Sequence, residues 1–359
     1  MKGKVIIITP LFPPSVGGPA RQAFLLRAFL EKEAIPNTVF SFDQERGSKI
    51  QRYFSFFKKI LKATRSGDVL VVFDELAIGF VALFVSKIRK VKIIVRLGGD
   101  RLWEKAVEEG AVPAVDLPTF YKEGFYKSVY RTLRFIRNQV IAGAHILVFS
   151  SLWYRDVLAR AVHVPREKTR LIKNKKEKII NQGETSEVKY QFIYAGRFTK
   201  VKNAETLVRA FHRVHRDIQG DLLLCGSGPE EERIRSYVIQ NNLTDRVHII
   251  KPQDTEILND LIRESAVCVL PSLSDISPNF LLECQALGKP ALATEEIGIR
   301  DDLRGVLYSN TQNIKTLADG LLSIHSASYQ EKLKEEILAS RHENDDSKWE
   351  EGWRSIIAL

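Results

Sequence analysis

The sequence predicts an α/β protein of two doubly wound domains, and three observations carry the prediction. Short β-branched runs alternate with amphipathic stretches along both halves of the chain, the pattern of parallel βα units. The alternation halts once, at residues 173–189, a segment rich in Lys, Asn, Gln, Glu and Gly with little apolar content, and then starts afresh. The length of 359 residues, 44% of them apolar, is enough for two separate cores, while 21 Gly and 13 Pro exclude collagen-like and disordered classes.

In order, the front half offers strands at 5–9, 38–42, 69–73, 92–96 and 146–150, with helices at 19–31, 76–88, 127–141 and 152–161. The second series has strands at 190–195, 221–225, 247–250, 268–270 and 291–294, with helices between them. The expected organisation is a first domain over 1–173, a linker over 174–189 and a second domain over 190–347. A polar stretch, 340–347, detaches a last helix at 348–359 that is free to cross back to the first domain. Two such sheets facing each other would set the loops at their strand C-terminal ends around one cleft.

Charge is divided unevenly. Residues 1–190 carry 34 Lys and Arg against 18 Asp and Glu, a balance of +16, and residues 191–359 carry 20 against 26, a balance of −6. One domain therefore suits an anionic partner. Cys225, Cys268 and Cys284 have no metal-ligand or C-x-x-C spacing and read as buried thiols of a reducing compartment. No secretory signal is recognised, and the longest apolar run, 76–85, is about half a membrane span, so the expected location is cytoplasmic.

Three loops hold the chemistry. The first, 11–21, joins the first strand to the first helix, and Gly17 and Gly18 allow close backbone approach to an anion at the helix start, or simply a tight turn. It lacks the G-x-G-x-x-G fingerprint. The second is Gly196-Arg197-Phe198-Thr199-Lys200-Val201-Lys202, where Arg197 as a fork and Lys202 as a point charge could clamp a diphosphate. The third runs from Pro271 to Pro290. Ser277 suits an N-cap and Pro278 the first helical position, and Glu283 lies in an otherwise apolar helix where a carboxylate needs a partner such as a sugar diol.

Residues 271–290 resemble the acidic signature of retaining glycosyltransferases of family 4, which have the GT-B fold of two Rossmann-like domains: carboxylates eight positions apart, Asp275 and Glu283, then Gly288-Lys289-Pro290 and a strand. Gly196-Arg197 with Lys202, the stretch Leu224-Cys225-Gly226-Ser227-Gly228-Pro229, Asp245-Arg246-Val247 and the Gly17-Gly18 loop also match in order. The resemblance implies that Arg197 and Lys202 neutralise the departing diphosphate, assisted by Asp275 on the donor sugar. It places Glu283 on the ribose, Ser277 and the backbone of Asn279 and Phe280 on phosphate or sugar, Gly226 with the nucleotide, Lys251 and Pro252 beside the base, and Gly17 and Gly18 against the diphosphate. Two departures stand out. Asp275 replaces the usual Glu, and Ile276-Ser277-Pro278 replaces Gly-Phe-Gly, with Pro278 removing a backbone donor. The family's front-domain His is missing. At its place stands Arg96-Leu97-Gly98-Gly99-Asp100, where Arg96 or Asp100 would contact donor or acceptor, or form a structural turn.

No Asp-x-Asp and no His or Cys cluster of ligand spacing occurs, so no metal and no cofactor are expected beyond the donor, a UDP- or GDP-sugar. Residues 52–65, with Tyr53, Phe56, Phe57, Ile60 and Leu61 at helical spacing beside Lys58, Lys62 and Arg65, read as an interfacial helix or as one packed on the sheet, and 121–137 repeats the mix. The expected activity is metal-independent retaining transfer of a sugar to a hydroxyl of a glycan or lipid-linked acceptor in cell-surface polysaccharide or glycolipid synthesis. It would take place on the cytoplasmic side, with an anionic membrane and not nucleic acid as the partner surface. A weakened nucleotide- or glycan-binding partner subunit and a sugar-nucleotide epimerase are the alternatives.

Overall fold

The computed structural model describes residues 3–15, 17–175, 187–339 and 347–357. Most of the expected linker, 176–186, and the polar stretch 340–346 lie outside the described residues. The first series of elements comprises β1 (Val5–Thr9), α1 (Gly18–Lys32), β2 (Asn37–Ser41), α2 (Lys49–Ala63), β3 (Val69–Val72), α3 (Ala77–Arg89) and β4 (Lys92–Leu97). It continues with α4 (Arg101–Glu108), α5 (Leu117–Lys122), α6 (Arg131–Gly143), β5 (Ile146–Phe149), α7 (Leu152–Leu158) and β6 (Thr169–Leu171). The second comprises β7 (Tyr190–Ala195), α8 (Ala204–Val214), β8 (Asp221–Cys225), α9 (Glu231–Gln240), β9 (Val247–Ile250), α10 (Thr255–Arg263) and β10 (Ser265–Leu270). It ends with α11 (Asn279–Ala286), β11 (Ala291–Thr294), β12 (Val306–Ser309), α12 (Ile314–His325), α13 (Ala327–Ala339) and α14 (Ser347–Ile357).

Packing divides the chain into two units. The first holds Met1–Trp103, Phe120–Lys175 and Asp345–Leu359, the second Glu104–Thr119 and Lys176–Asn344. The segment Glu104–Thr119, expected in the first domain, is grouped with the second because its polar groups are bonded there: Leu117 donates its N–H to Ser274 Oγ at 2.9 Å, and Gln312 Nε2 donates to Asp116 at 2.9 Å.

Each unit is one parallel six-stranded sheet, ordered β2-β1-β3-β4-β5-β6 and β12-β11-β10-β7-β8-β9. Continuous β-branched runs such as Val5–Ile8, fully buried, suit strands covered on both faces. In the second sheet Phe192, Tyr194, Leu222 and Leu224 feed one core, and Ile193, Leu223, Cys268 and Leu270 the other, the alternation that a pleated strand imposes. Cys225, Cys268 and Cys284 are free and buried.

The structure adds two strands that sequence reading omits, β6 and β12. Both are short edge strands with no fully buried residue, so neither needs the apolar run that marks an inner strand. The helix expected over 121–137 is broken, because Gly124 and Tyr130 both take left-handed backbone conformations and α6 starts only at Arg131. The last helix, α14, completes the first unit. Trp349 packs against Phe29 at 5.7 Å and Trp353 against Phe73 at 6.5 Å between ring centres, and ion pairs Lys32–Glu350 and Glu33–Arg354, both 3.1 Å, join α14 to the end of α1.

Candidate functional site

In a doubly wound sheet, ligands bind beyond the carboxyl ends of the strands where the strand order reverses. In the second unit that point lies between β7 and β10, and the two loops singled out in the sequence leave those two strands. They meet there. Lys202 Nζ lies 2.5 Å from Asp275 Oδ2, with 24% and 11% of the two side chains exposed. Sequence reading assigns these residues separate duties, one on phosphate and one on sugar, and misses that they are partners 73 positions apart. Arg197 is the more open cation, 62% exposed and 3.6 Å from Glu104 across a solvent-screened pair that costs little to break.

The loop carrying these cations is fastened at several points. Glu108 accepts hydrogen bonds from the backbone N–H groups of Lys200 and Val201 at 3.1 and 3.0 Å. Asn203, left-handed at φ 58°, donates from Nδ2 to the carbonyls of Pro271 and Thr311 and so ties the β7 loop to the β10 loop. Neither role is visible in the sequence, since both depend on residues far away in the chain. An Asn directly before a helix was the available signal for Asn203.

Gly226 earns its place by packing. A Cβ there would sit 2.0 Å from the Gly196 carbonyl oxygen, so any side chain would push the β7 and β8 loops apart. Lys251 and Pro252 follow β9 on exposed backbone, where the Lys251 carbonyl accepts from Gln253 Nε2 at 2.9 Å.

Helix α11 starts one residue later than expected. Pro278, with φ −69° and ψ 108°, is its N-cap and Asn279 its first residue, so Ser277 precedes the helix instead of capping it. Because Pro278 sits outside the first turn, its missing N–H is not one of the helix's first-turn donors, and Phe280 and Leu281 present theirs. Phe280 is buried in the core, and Glu283 is half-buried in the second turn. At the far end, Gly288 takes a left-handed conformation and Lys289 turns inward, where Nζ bonds the Arg263 carbonyl at 2.6 Å and the Ser265 carbonyl at 2.8 Å. Burial lowers the Lys289 pKa. The Gly-Lys-Pro part of the signature therefore fastens the end of α10 to β10.

In the first unit, Gly17 precedes α1 with φ 155°, and a Cβ on Gly18 would meet nothing within 4 Å, so this loop leaves open space at the end of β1. Asp100 is committed internally. Its carboxylate accepts from the Trp103 N–H, the Tyr121 hydroxyl and the Tyr154 hydroxyl, and Arg137 lies 3.7 Å away with both side chains fully buried. Burial pushes the Tyr121 and Tyr154 hydroxyls well above their usual range. Asp74 accepts from three backbone N–H groups and from Arg101, while burial, then Asp74 and Asp100, raise Glu75 to about 8. Arg96, by contrast, is 97% buried with no carboxylate paired to it among the described residues, and burial pushes its guanidinium down to about 10.

Residues 175–338 match the model of glycosyl transferases group 1. The matched region begins at the end of the first unit and takes in every loop of the second-unit site apart from Glu104–Thr119. An N-acetyl-alpha-D-glucosaminyl L-malate synthase from Bacillus anthracis is 32% identical over 138 residues, 38% of this chain and 34% of that protein. A D-inositol 3-phosphate glycosyltransferase from Pseudarthrobacter chlorophenolicus is 30% identical over 127 residues, 34% of this chain and 30% of that protein. The chain thus aligns with about a third of the length of these relatives. Over 99% of the chain, the fold is that of sucrose-phosphate synthase from Thermosynechococcus elongatus, with a TM-score of 0.71, 17% identity and 97% of that chain covered. It is also that of Anabaena HepE in complex with UDP-glucose, with a TM-score of 0.74, 14% identity and 100% of that chain covered. The fold shared with these two solved structures is the two-domain GT-B fold.

Proposed function

We propose that this chain is a retaining glycosyltransferase that moves a sugar from a nucleotide diphosphate to an acceptor hydroxyl without the help of a metal. The reading rests chiefly on the Lys202–Asp275 pair at the strand-order reversal of the second sheet, beside the start of α11 and Arg197. A diphosphate entering there competes with Asp275 for Lys202 and frees the carboxylate to accept from sugar hydroxyls. Glu283, in the second turn of α11, is the ribose ligand in this reading, and the Lys251–Pro252 backbone borders the base. The group 1 match and the UDP-glucose bound to the structural neighbour support a nucleotide-sugar donor.

In this mechanism the acceptor oxygen attacks the anomeric carbon from the face that the diphosphate leaves. The bond from that carbon to the phosphate oxygen breaks, and the departing oxygen takes the acceptor proton. Arg197, Lys202 and the first-turn N–H groups of α11 hold the growing negative charge. With UDP- and GDP-sugars as donors, Arg197→Ala and Lys202→Ala should each lower kcat by about 100-fold while changing donor KM less. Full turnover in both variants would overturn the mechanism, and nucleotide binding without turnover in the unaltered chain would favour a binding partner subunit.

The acceptor is lipid-linked in this reading and the first unit rests on an anionic membrane. The apolar face offered by the sequence at 52–65 turns inward in the structure, with Phe56 and Ile60 fully buried and Phe56 against Phe42. A different surface supports the reading. Phe80, Phe84 and Ile88 form an exposed stripe at helical spacing on α3, with exposed Ile50 and Phe54 on α2, exposed Phe135 on α6, and Lys58, Lys62 and Lys87 exposed alongside.

A further inference from the structure

Arg96 stands near the carboxyl end of β4, paired in register with Val148, and it is 97% buried. Among the described residues its contacts are one hydrogen bond from Nη2 to Asn174 Oδ1 at 2.8 Å and the Trp353 ring at 5.6 Å, while Nη1 has no hydrogen-bond partner. A guanidinium taken out of water with no counter-charge is costly, and proteins tolerate one where an anion completes it. Two more buried polar groups lie on the same face of the sheet. Ile94, two residues before Arg96, and Val148, two before Ser150, both belong to the core under α1 and α14, and so does Leu26, one helical turn beyond Gln22. Ser150 Oγ and both amide atoms of Gln22 are buried without partners. Beyond Arg96 the chain continues through exposed Gly98, where a Cβ would meet nothing within 4 Å.

We propose that Arg96, Ser150 and Gln22 form an oxyanion site in the first unit that receives a carboxylate or phosphate group carried by the acceptor. All three offer N–H or O–H donors, the set an oxyanion accepts, and the fork of Arg96 supplies the charge. The ascription to the acceptor rests on the transferase reading above; the anion site itself does not.

The full chain is titrated with inorganic phosphate and, separately, with succinate at constant ionic strength against chloride, and binding is followed by thermal shift and calorimetry. At least one of the two should bind saturably, and the one that does tells phosphate from carboxylate. Arg96→Gln should weaken that binding about tenfold or more and, in chloride alone, should melt higher than the parent because the uncompensated charge is gone. Ser150→Ala, a smaller change in a fully buried place, should fold and weaken the same anion severalfold. Equal binding by parent and variants, or no binding of either anion by the parent, overturns the proposal. UDP binding is measured in parallel. If UDP fails to bind while the Arg96-dependent anion does, the nucleotide reading of the second unit falls and the oxyanion site stands; the reverse result removes the oxyanion site and leaves the nucleotide reading intact.

Discussion

Single side chains of the segment 271–290 take on structural duties in this protein. Lys289 is the clearest case, a signature lysine spent on two backbone carbonyls. Removing the charged donor leaves both carbonyls underpaired, so Lys289→Met should lower stability by about 2 kcal/mol with little effect on nucleotide affinity, as read from denaturant midpoints and UDP titration. Glu75 gives a pH signature. Its carboxyl is held protonated in the fold by burial beside Asp74 and Asp100, and ionises freely on unfolding. The folded state therefore binds the extra proton between the ordinary carboxyl range and about 8. Stability contributed by this group is complete below that window and is lost as pH rises through it, with a slope approaching about 1.4 kcal/mol per pH unit. Glu75→Gln keeps an acceptor for the Arg101 N–H and should flatten the slope, a difference visible in melting curves taken between pH 5 and 8.

At the scale of elements, the exposed stripe on α3 and its neighbours on α2 and α6 make a direct prediction. Phe84→Ser together with Phe54→Ser should leave the melting temperature nearly unchanged, because both side chains are more than half exposed, and should reduce co-sedimentation with vesicles of phosphatidylglycerol and phosphatidylcholine. Raising the salt should weaken vesicle binding more than UDP binding. Co-sedimentation that ignores both the substitutions and the lipid charge would remove the membrane reading. Inner strands such as β1, β3, β7 and β8 were legible from their apolar runs, and α1, α3 and α8 from helical spacing. The edge strands β6 and β12 were not, since an edge strand need not be apolar, and the break between α5 and α6 hinged on a left-handed Tyr130 that no local rule announces. The candidate site was legible as a set of residues but not as a network. The composition of each loop marked it as polar and anion-ready, whereas the Lys202–Asp275, Asn203–Pro271 and Glu108–Val201 partnerships are set by topology.

For the whole molecule, each unit owns a core, and that of the first depends on α14. Trp353, 1% exposed, fills the space between α14, Phe73 and Arg96. Trp353→Ala should destabilise the first unit by about 3–5 kcal/mol and leave UDP binding to the second unit unchanged. Nucleotide should raise the melting transition of the second unit alone, so two transitions that separate on adding UDP would report the division directly. Chains of several domains ordinarily fold from the amino end during synthesis. Here the order is inverted. The second unit has all its described elements once residue 339 has left the ribosome, while the core that the first sheet forms with α1 stays incomplete, part of its face uncovered, until the helix Ser347–Ile357 is made. A nascent chain stalled with that helix still in the exit tunnel should show a protease-resistant second unit and a first unit that is cleaved, with the exposed face a natural target for chaperones.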